Sequence, residues 1–231
     1  MNMKELFSSW RSNLRIENKA DEWETKELFR SAGLPVPPQY LFKKNVEDKA
    51  LESLSFLPSD LKEPFAVKLC SPDVLHKSDV GGVKLGVGRN DLVSVLREMR
   101  NKFPGENFLI YHMEAIRGIE FILGALNDPS FGPAVMIGAG GVMTELYKDV
   151  SFCLAPCTLK DAEHIISELT IAPVLSGFRG SNMDRESLKD IIVKFSDLAS
   201  AAAEDGAQLD INPIVWNGED WKVLDAKCVF V

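Results

Sequence analysis

Between Phe65 and Gly88 the chain reads FAVKLCSPDVLHKSDVGGVKLGVG. Apolar residues at Phe65 and Val67, then at Val83, Leu85 and Val87, alternate with their neighbours, the spacing of two β-strands whose alternate side chains reach a core. A polar loop separates the two. Upstream, Asn18 is placed to cap a helix covering Ala20, Trp23, Leu28 and Phe29, which Gly33 stops before Pro35. Gln39 to Phe42 is a short strand, and Asn45 is placed to cap the helix VEDKALESL. Downstream, Asn90 opens a helix with Leu92, Val95, Leu96 and Met99 on one stripe.

Two strands, Asn107 to Met113 and Gly118 to Leu126, flank Glu114 to Arg117, the expected linker between two lobes. Two β-rich segments then surround a turn at Gly138, Gly140 and Gly141. That turn lacks both the Gly-Lys-Ser/Thr ending of the Walker loop and the third glycine of the dinucleotide pattern. Thr158 and Asp161 form a capping box for a helix with Ala162, Ile165, Ile166 and Leu169 on its apolar face, which leaves His164 at the surface. A loop of small and polar residues from Ser176 to Asn182 precedes a long helix marked by Leu188, Ile191, Ile192, Phe195, Leu198 and Ala202, and two strands close the chain. No internal repeat or low-complexity segment is present.

The loop after Phe65 concentrates chemistry. It holds Lys68, Ser71, His76, Lys77, Ser78 and Asp79, and Gly81 and Gly82 allow close backbone approach to a ligand. Ammonium groups, hydroxyls and exposed N–H groups can hold a phosphate. The same residues also make an ordinary solvated hairpin, and the loop alone does not separate the two.

A second concentration lies near the end, in QLDINPIVW and Trp221 to Val229, joined through Asn217 and Gly218, a tight-turn signal. A two-residue turn sets Asp210 opposite Asp225, and a four-residue turn sets Asn212 opposite Asp225. Either register puts Asp210, Asn212 and Asp225 on one face. Two carboxylates about 5 Å apart repel by roughly 3 kcal/mol at an effective dielectric near 20. Oxygen donors without His or Cys favour a hard cation, Mg²⁺ being usual beside nucleotide phosphates. The alternative is a solvent-facing polar edge, with Pro213 marking an edge strand.

Composition narrows the classes. The 231 residues (25.6 kDa) are 45% hydrophobic and 26% charged, hence globular, in one large or two small domains. A net charge of −8 argues against a general nucleic-acid binder. Cys70, Cys153, Cys157 and Cys228 form no paired CxxC spacing, and the CxxxC of Cys153 and Cys157 supplies only two ligands. The charged start is unlike a signal peptide, and the longest uncharged stretch, Pro129 to Thr144, is too short to span a bilayer. No membrane association is expected, and a reducing cytoplasm is the expected compartment.

Taken together, VKLCSPDVLHKSDVGGV, GIEFILGALNDPSFGPAVMIGAGGVMTELYKDVSFCLAP, GFRG and LDINPIVWNGEDWKVLDAK resemble, in order, the ATP-grasp beta subunit of ADP-forming acyl-CoA synthetases, including the ADP-forming acetate–CoA ligases. The resemblance covers most of the chain from about residue 20. It implies an α+β ATP-grasp fold: two lobes with antiparallel sheets clamping ATP or ADP, here 20–113 and 114–231 after an N-terminal extension, 1–19. It implies that His76 accepts a phosphoryl group before it reaches ADP, and that Lys68 and Arg179 offset charge on the transferring group. Tyr111, His112, Met113 and Glu114 match the adenine-binding connection, where exposed backbone groups read the base edge. Asn212 and Asp225 match the metal positions of the related succinyl-CoA synthetases, with Asp210 a supporting acid for Mg²⁺. Glu120 and Glu145 match acids near the nucleotide.

The implied reaction interconverts acyl-CoA, ADP and phosphate with a carboxylic acid, CoA and ATP. No segment remains here for CoA, so the resemblance implies a CoA-binding alpha subunit in an α₂β₂ assembly. The first twenty residues match weakly, and Cys153 departs from the usual basic or aliphatic residue. Two other readings compete: a self-contained ATP-grasp carboxylate ligase, which leaves His76 without a task, and a non-catalytic nucleotide-binding module, which does not require Lys68, His76, Asn212 and Asp225 together. A purely structural scaffold is the weakest alternative.

Overall fold

The computed structural model describes residues 2–74, 77–141, 148–180 and 182–231, with only the backbone of Arg179. In chain order the elements are α1 (Met3–Ser12), α2 (Glu22–Ser31), β1 (Gln39–Phe42), α3 (Asp48–Ser53), β2 (Phe65–Cys70), β3 (Val83–Val87), α4 (Leu92–Lys102) and β4 (Asn107–His112). They continue with β5 (Phe121–Asp128), β6 (Gly132–Ala139), β7 (Val150–Leu154), α5 (Leu159–Glu168), α6 (Ala172–Leu175), a 3₁₀ turn (Phe178–Gly180), α7 (Arg185–Glu204), β8 (Ala207–Trp216), β9 (Trp221–Val223) and β10 (Ala226–Phe230). Two compact units result: Pro37–Glu114, and Met1–Val36 with Ala115–Val231.

The smaller unit is an antiparallel sheet in the order β1-β4-β2-β3. One face carries Phe42, Phe65, Val67, Leu69, Phe108 and Ile110 against Leu51 of α3 and Leu92, Leu96 and Met99 of α4. Strand β3 departs from the expected alternation. Val83 pairs with Lys68 and Val87 with Phe65, so the register shifts between them and β3 takes one extra residue, with Gly86 at φ +68°. The bulge splits the apolar set: Val87 joins the core, while Leu85 is 63% exposed.

The larger unit is an antiparallel sheet, β10-β8-β5-β6-β7, with β9 also paired to β8. Phe121, Leu123, Val135, Ile137, Leu209 and Ile211 bury one face against Ile165 and Ile166 of α5 and Leu188, Ile192, Phe195 and Leu198 of α7. Helices α1 and α2 pack into the same core. Phe29 meets Phe195 edge-on, with ring centroids 6.0 Å apart, Phe7 is 1% exposed, and Trp10 Nε1 donates to the Glu24 carbonyl at 2.8 Å. Burial of each such ring stabilises by about 2–3 kcal/mol.

The domain expectation is therefore corrected. Residues 20–36 belong with the larger unit and not with the lobe that follows them, and α1 is part of that core, not a separate extension. The lobes change at Glu114 and Ala115, one residue from the expected boundary.

Capping differs in detail. Asp21, not Asn18, caps α2 in a capping box with Glu24, and Asn18 instead sits at φ +54° and accepts from Arg11 Nε at 3.0 Å. Asn45 and Asn90 cap nothing: α3 and α4 begin after Glu47 and Asp91, neither with a side-chain cap bond. Gly33, at φ +78°, does end α2, with Leu34 N–H reaching back to the Phe29 carbonyl at 2.9 Å. The Thr158 and Asp161 box forms as expected.

Candidate nucleotide and metal site

In the smaller unit every residue of β2 is buried, Lys68 included at 8% exposure. Pairing of Val67 with Ile110 and Lys68 with Leu109 turns Val67 to the helices and Lys68 to the opposite face. There its Nζ lies 5.4 Å from the centre of the Tyr111 ring, a cation–π contact. Ser71 follows, buried, its Oγ accepting from Asp73 N at 3.3 Å. His76 lies outside the described residues.

The chain closes back on β2 through the glycine pair. Gly82 N donates to the Lys77 carbonyl at 2.7 Å, Gly81 N to the Ser78 carbonyl at 2.9 Å, and Leu69 N to the Gly82 carbonyl at 2.7 Å. A Cβ on Gly82 would stand 3.0 Å from both Leu69 Cβ and the Lys77 oxygen, and Gly81 has φ +67°. In the described structure these glycines close the loop itself, where the sequence pattern gave them only approach to a ligand.

The expected adenine connection keeps part of its backbone for the sheet. Tyr111 is buried and pairs with Gln39 and Ala66, and His112 pairs with Phe65 while its Nδ1 lies 3.1 Å from the Lys62 carbonyl. Met113 N–H is taken by the Pro64 carbonyl at 2.8 Å, so it is not among the exposed backbone groups of the stretch. Met113 Sδ accepts from Gly86 N at 3.1 Å, and Glu114 is half-buried.

In the larger unit, half-buried Glu120 stands just before β5 and beside the glycine turn. Its carbonyl accepts Gly140 N at 2.6 Å, and a Cβ on Gly140 would lie 2.8 Å from Glu120 Cβ. Glu145 and the side chain of Arg179 lie outside the described residues.

The carboxylate hairpin takes the four-residue register. Trp216 pairs with Trp221, and Asn217 Oδ1 accepts from Glu219 N at 3.0 Å and Asp220 N at 2.9 Å, closing the turn. Asn212 N then donates to the Asp225 carbonyl at 3.2 Å, and Lys227 stands opposite Asp210. Asp210, Asn212 and Asp225 share a face, as expected. The edge-strand reading does not survive: β8 lies between β5 and β10, and Pro213, after a cis peptide, sits where the β5–β8 register shifts. Burial first, and Asp225 second, push the Asp210 carboxyl up to about 6, against the pull of Lys227. Two carboxylates and an amide fit a hard cation, and among the described residues no three His, Cys, Asp or Glu side chains gather to hold a metal ion.

A model of the ATP-grasp domain matches residues 15–230. The "Acetate--CoA ligase [ADP-forming] I subunit beta" of Pyrococcus furiosus is 37% identical over 217 residues, 90% of each chain. The chain belongs to the ATP-grasp beta subunits of ADP-forming acetate–CoA ligases. An ATP-grasp neighbour, the dinucleotide forming acetyl-coenzyme A synthetase 1 of Ca. Korarchaeum cryptofilum, was solved with coenzyme A and Mg-AMPPCP, its phosphohistidine segment pointing towards the nucleotide binding site. It superposes with a TM-score of 0.78 at 33% identity over the full length of both chains. The Archaeoglobus fulgidus "Acetate--CoA ligase [ADP-forming] I" is 36% identical over 87% of this chain but only 30% of its own length.

Three features of this ATP-grasp chain escaped the sequence pattern. Asp149 is buried and accepts from Thr170 N at 2.8 Å and Ile171 N at 3.1 Å, tying the start of β7 to the end of α5. The Cys153 and Cys157 thiols meet: their hydrogen bond draws Cys157 down to about 7 despite burial, and Cys157 N also donates to Ser196 Oγ at 3.0 Å. Glu22 and Lys26 on α2 are 3% and 0% exposed. A helical pattern of apolar residues has no way to announce a buried charge.

Proposed function

We propose that the chain is the nucleotide-binding, phosphoryl-transfer subunit of an ADP-forming acyl-CoA synthetase, working in the cytoplasm with a CoA-binding alpha subunit in an α₂β₂ assembly. The observation that carries this reading is the face of Asp210, Asn212 and Asp225, where half-buried acids repel and a cation would relieve the repulsion. The Archaeoglobus relative, about three times as long as this chain, supports the need for a partner that supplies the remaining domains.

In the proposed reaction a ring nitrogen of His76 takes the phosphoryl group that leaves its previous carrier and passes it to the terminal phosphate oxygen of ADP, regenerating neutral imidazole. Lys68 and Arg179 balance charge on the phosphoryl oxygens in flight. Tyr111, His112, Met113 and Glu114 receive the base, and Glu120 and Glu145 stand near the nucleotide. Asp210, Asn212 and Asp225 would hold Mg²⁺, whose charge screens the nucleotide phosphates.

Phosphoryl labelling tests the reading. With Mg²⁺, γ-labelled ATP and the alpha subunit, an acid-labile, alkali-stable label is expected on the wild-type chain and absent from His76→Ala. Full turnover in an alpha-containing complex of His76→Ala would favour the non-catalytic module, and ATP consumption by the chain alone with an acid and an acceptor would favour the self-contained ligase.

A further inference from the structure

Glu22 and Lys26 stand one turn apart on α2, 2.7 Å from each other, with side chains 1% and 0% exposed. Lys26 Nζ also donates to the carbonyl of Leu224 at 2.7 Å. Leu224 and Asp225 are the two residues that separate β9 from β10. Their outer groups are held by β8: Leu224 N donates to the Pro213 carbonyl at 3.0 Å, and the Asp225 carbonyl accepts Asn212 N at 3.2 Å. Between them lies the peptide whose oxygen Lys26 grips. A peptide group is planar, so fixing the Leu224 oxygen fixes the nitrogen and Cα of Asp225, and with them the direction in which its carboxylate leaves the backbone.

A buried ion pair is a poor device for packing alone, since an apolar pair of equal volume often packs a helix as well or better. What an apolar pair does not do is hold a carbonyl. We propose that Lys26, braced by Glu22, is a positioning residue that sets the Leu224–Asp225 peptide so that the Asp225 carboxylate joins Asp210 and Asn212 in receiving a divalent cation. This rests on the reading of that face as the Mg²⁺ site.

The test compares ADP binding by calorimetry with and without Mg²⁺ in four full-length chains: wild type, Asp225→Asn, Glu22→Gln, and the double variant Glu22→Gln with Lys26→Met. The double variant removes both charges, so neither is left buried alone. It is expected to bind ADP as wild type without Mg²⁺ and to lose at least ten-fold of the tightening that Mg²⁺ brings, as Asp225→Asn does. Wild-type Mg²⁺ dependence in the double variant, beside its loss in Asp225→Asn, overturns the positioning role and leaves the metal reading standing. Mg²⁺ dependence retained in Asp225→Asn overturns the metal reading, and the positioning role with it. Equal weakening with and without Mg²⁺ marks a general disruption of α2 and also overturns the proposal. Should the double variant not fold, Glu22→Gln alone, which loosens Lys26 but keeps its donor, is expected to lose about three-fold of the Mg²⁺ effect, and no change there overturns it.

Discussion

On the smaller sheet a buried ammonium, Lys68, lies against the face of Tyr111, whereas on the larger sheet a half-buried carboxylate, Asp210, lies near a second carboxylate, Asp225. The first charge has attractive company in the protein itself, and an aromatic face contributes about 1–2 kcal/mol to a desolvated cation. The second is held in an environment that penalises it, with burial and Asp225 outweighing Lys227. The first is a cation held ready, and the second an acid face kept under repulsion. Phosphate oxygens would answer the first, and a divalent cation would answer the second.

Lys68→Met tests the first half and carries the largest expected effect. Removing a preorganised charge from a transferring phosphoryl group slows kcat by about 10²–10³-fold, roughly 3–4 kcal/mol. Steady-state turnover with the partner subunit measures it, and a loss under five-fold would mean that the ammonium serves β2 and Tyr111 rather than the phosphoryl group.

Asp210→Asn tests the second half, and its sign is opposite to that of most buried substitutions. The folded carboxyl titrates at about 6 against an ordinary 3.8, so between those values the folded chain binds more protons than the unfolded one. Stability contributed by this group is therefore greatest below pH 4 and falls as pH rises through 6. The ionised form destabilises the metal-free fold by on the order of 3 kcal/mol at neutral pH. The variant is expected to unfold at higher urea than wild type at pH 7.5 without Mg²⁺, with the gap closing as pH falls toward 4, and to gain less than wild type when Mg²⁺ and ADP are added together. A variant less stable than wild type at pH 7.5 would show that Asp210 is satisfied without a cation.

Gly82→Ala is expected to cost about 1–3 kcal/mol, because the new Cβ would meet Leu69 Cβ and the Lys77 oxygen at 3.0 Å. Denaturant unfolding measures it, and a neutral result would show that the loop before Gly82 shifts freely and that the smaller sheet does not fix the segment bearing Lys77.

Legibility in the sequence also divided between the two sheets. On the larger one, alternation of Asp210 with Leu209 and Ile211 sufficed to place the acid face, because a period of two leaves only the register open, and both registers give the same face. What settled the register was the Asx turn at Asn217, which the Asn217 and Gly218 pair alone left undecided. On the smaller one, alternation failed at β3, since one extra residue reverses every side chain after it. The tertiary attachment of α1 and α2 was illegible for another reason: nothing in the first nineteen residues assigned Phe7 to a core, and Phe29 is apolar enough for either, so chain order favoured the wrong one for α2. Lys26 was hidden by its own polarity, buried beside Glu22 where a stripe of apolar residues was expected.

The bulge itself yields the smallest effect and the cleanest contrast. By alternation alone, Leu85 and Val87 are equivalent positions, two residues apart on one strand. In the structure Val87 is 6% exposed and packs in the core with Phe65, whereas Leu85 is 63% exposed beyond the register shift. Val87→Ala is then expected to destabilise by about 2 kcal/mol, through lost burial and the space left behind. Leu85→Ala should stay within about 0.5 kcal/mol, as an exposed side chain with little to lose. Urea midpoints of the two variants decide the matter. Equal losses would mean that β3 runs without its bulge, which would bring Leu85 onto the Val87 face and carry Val83 off the Lys68 face, so the pair also checks the register in which Lys68 is presented.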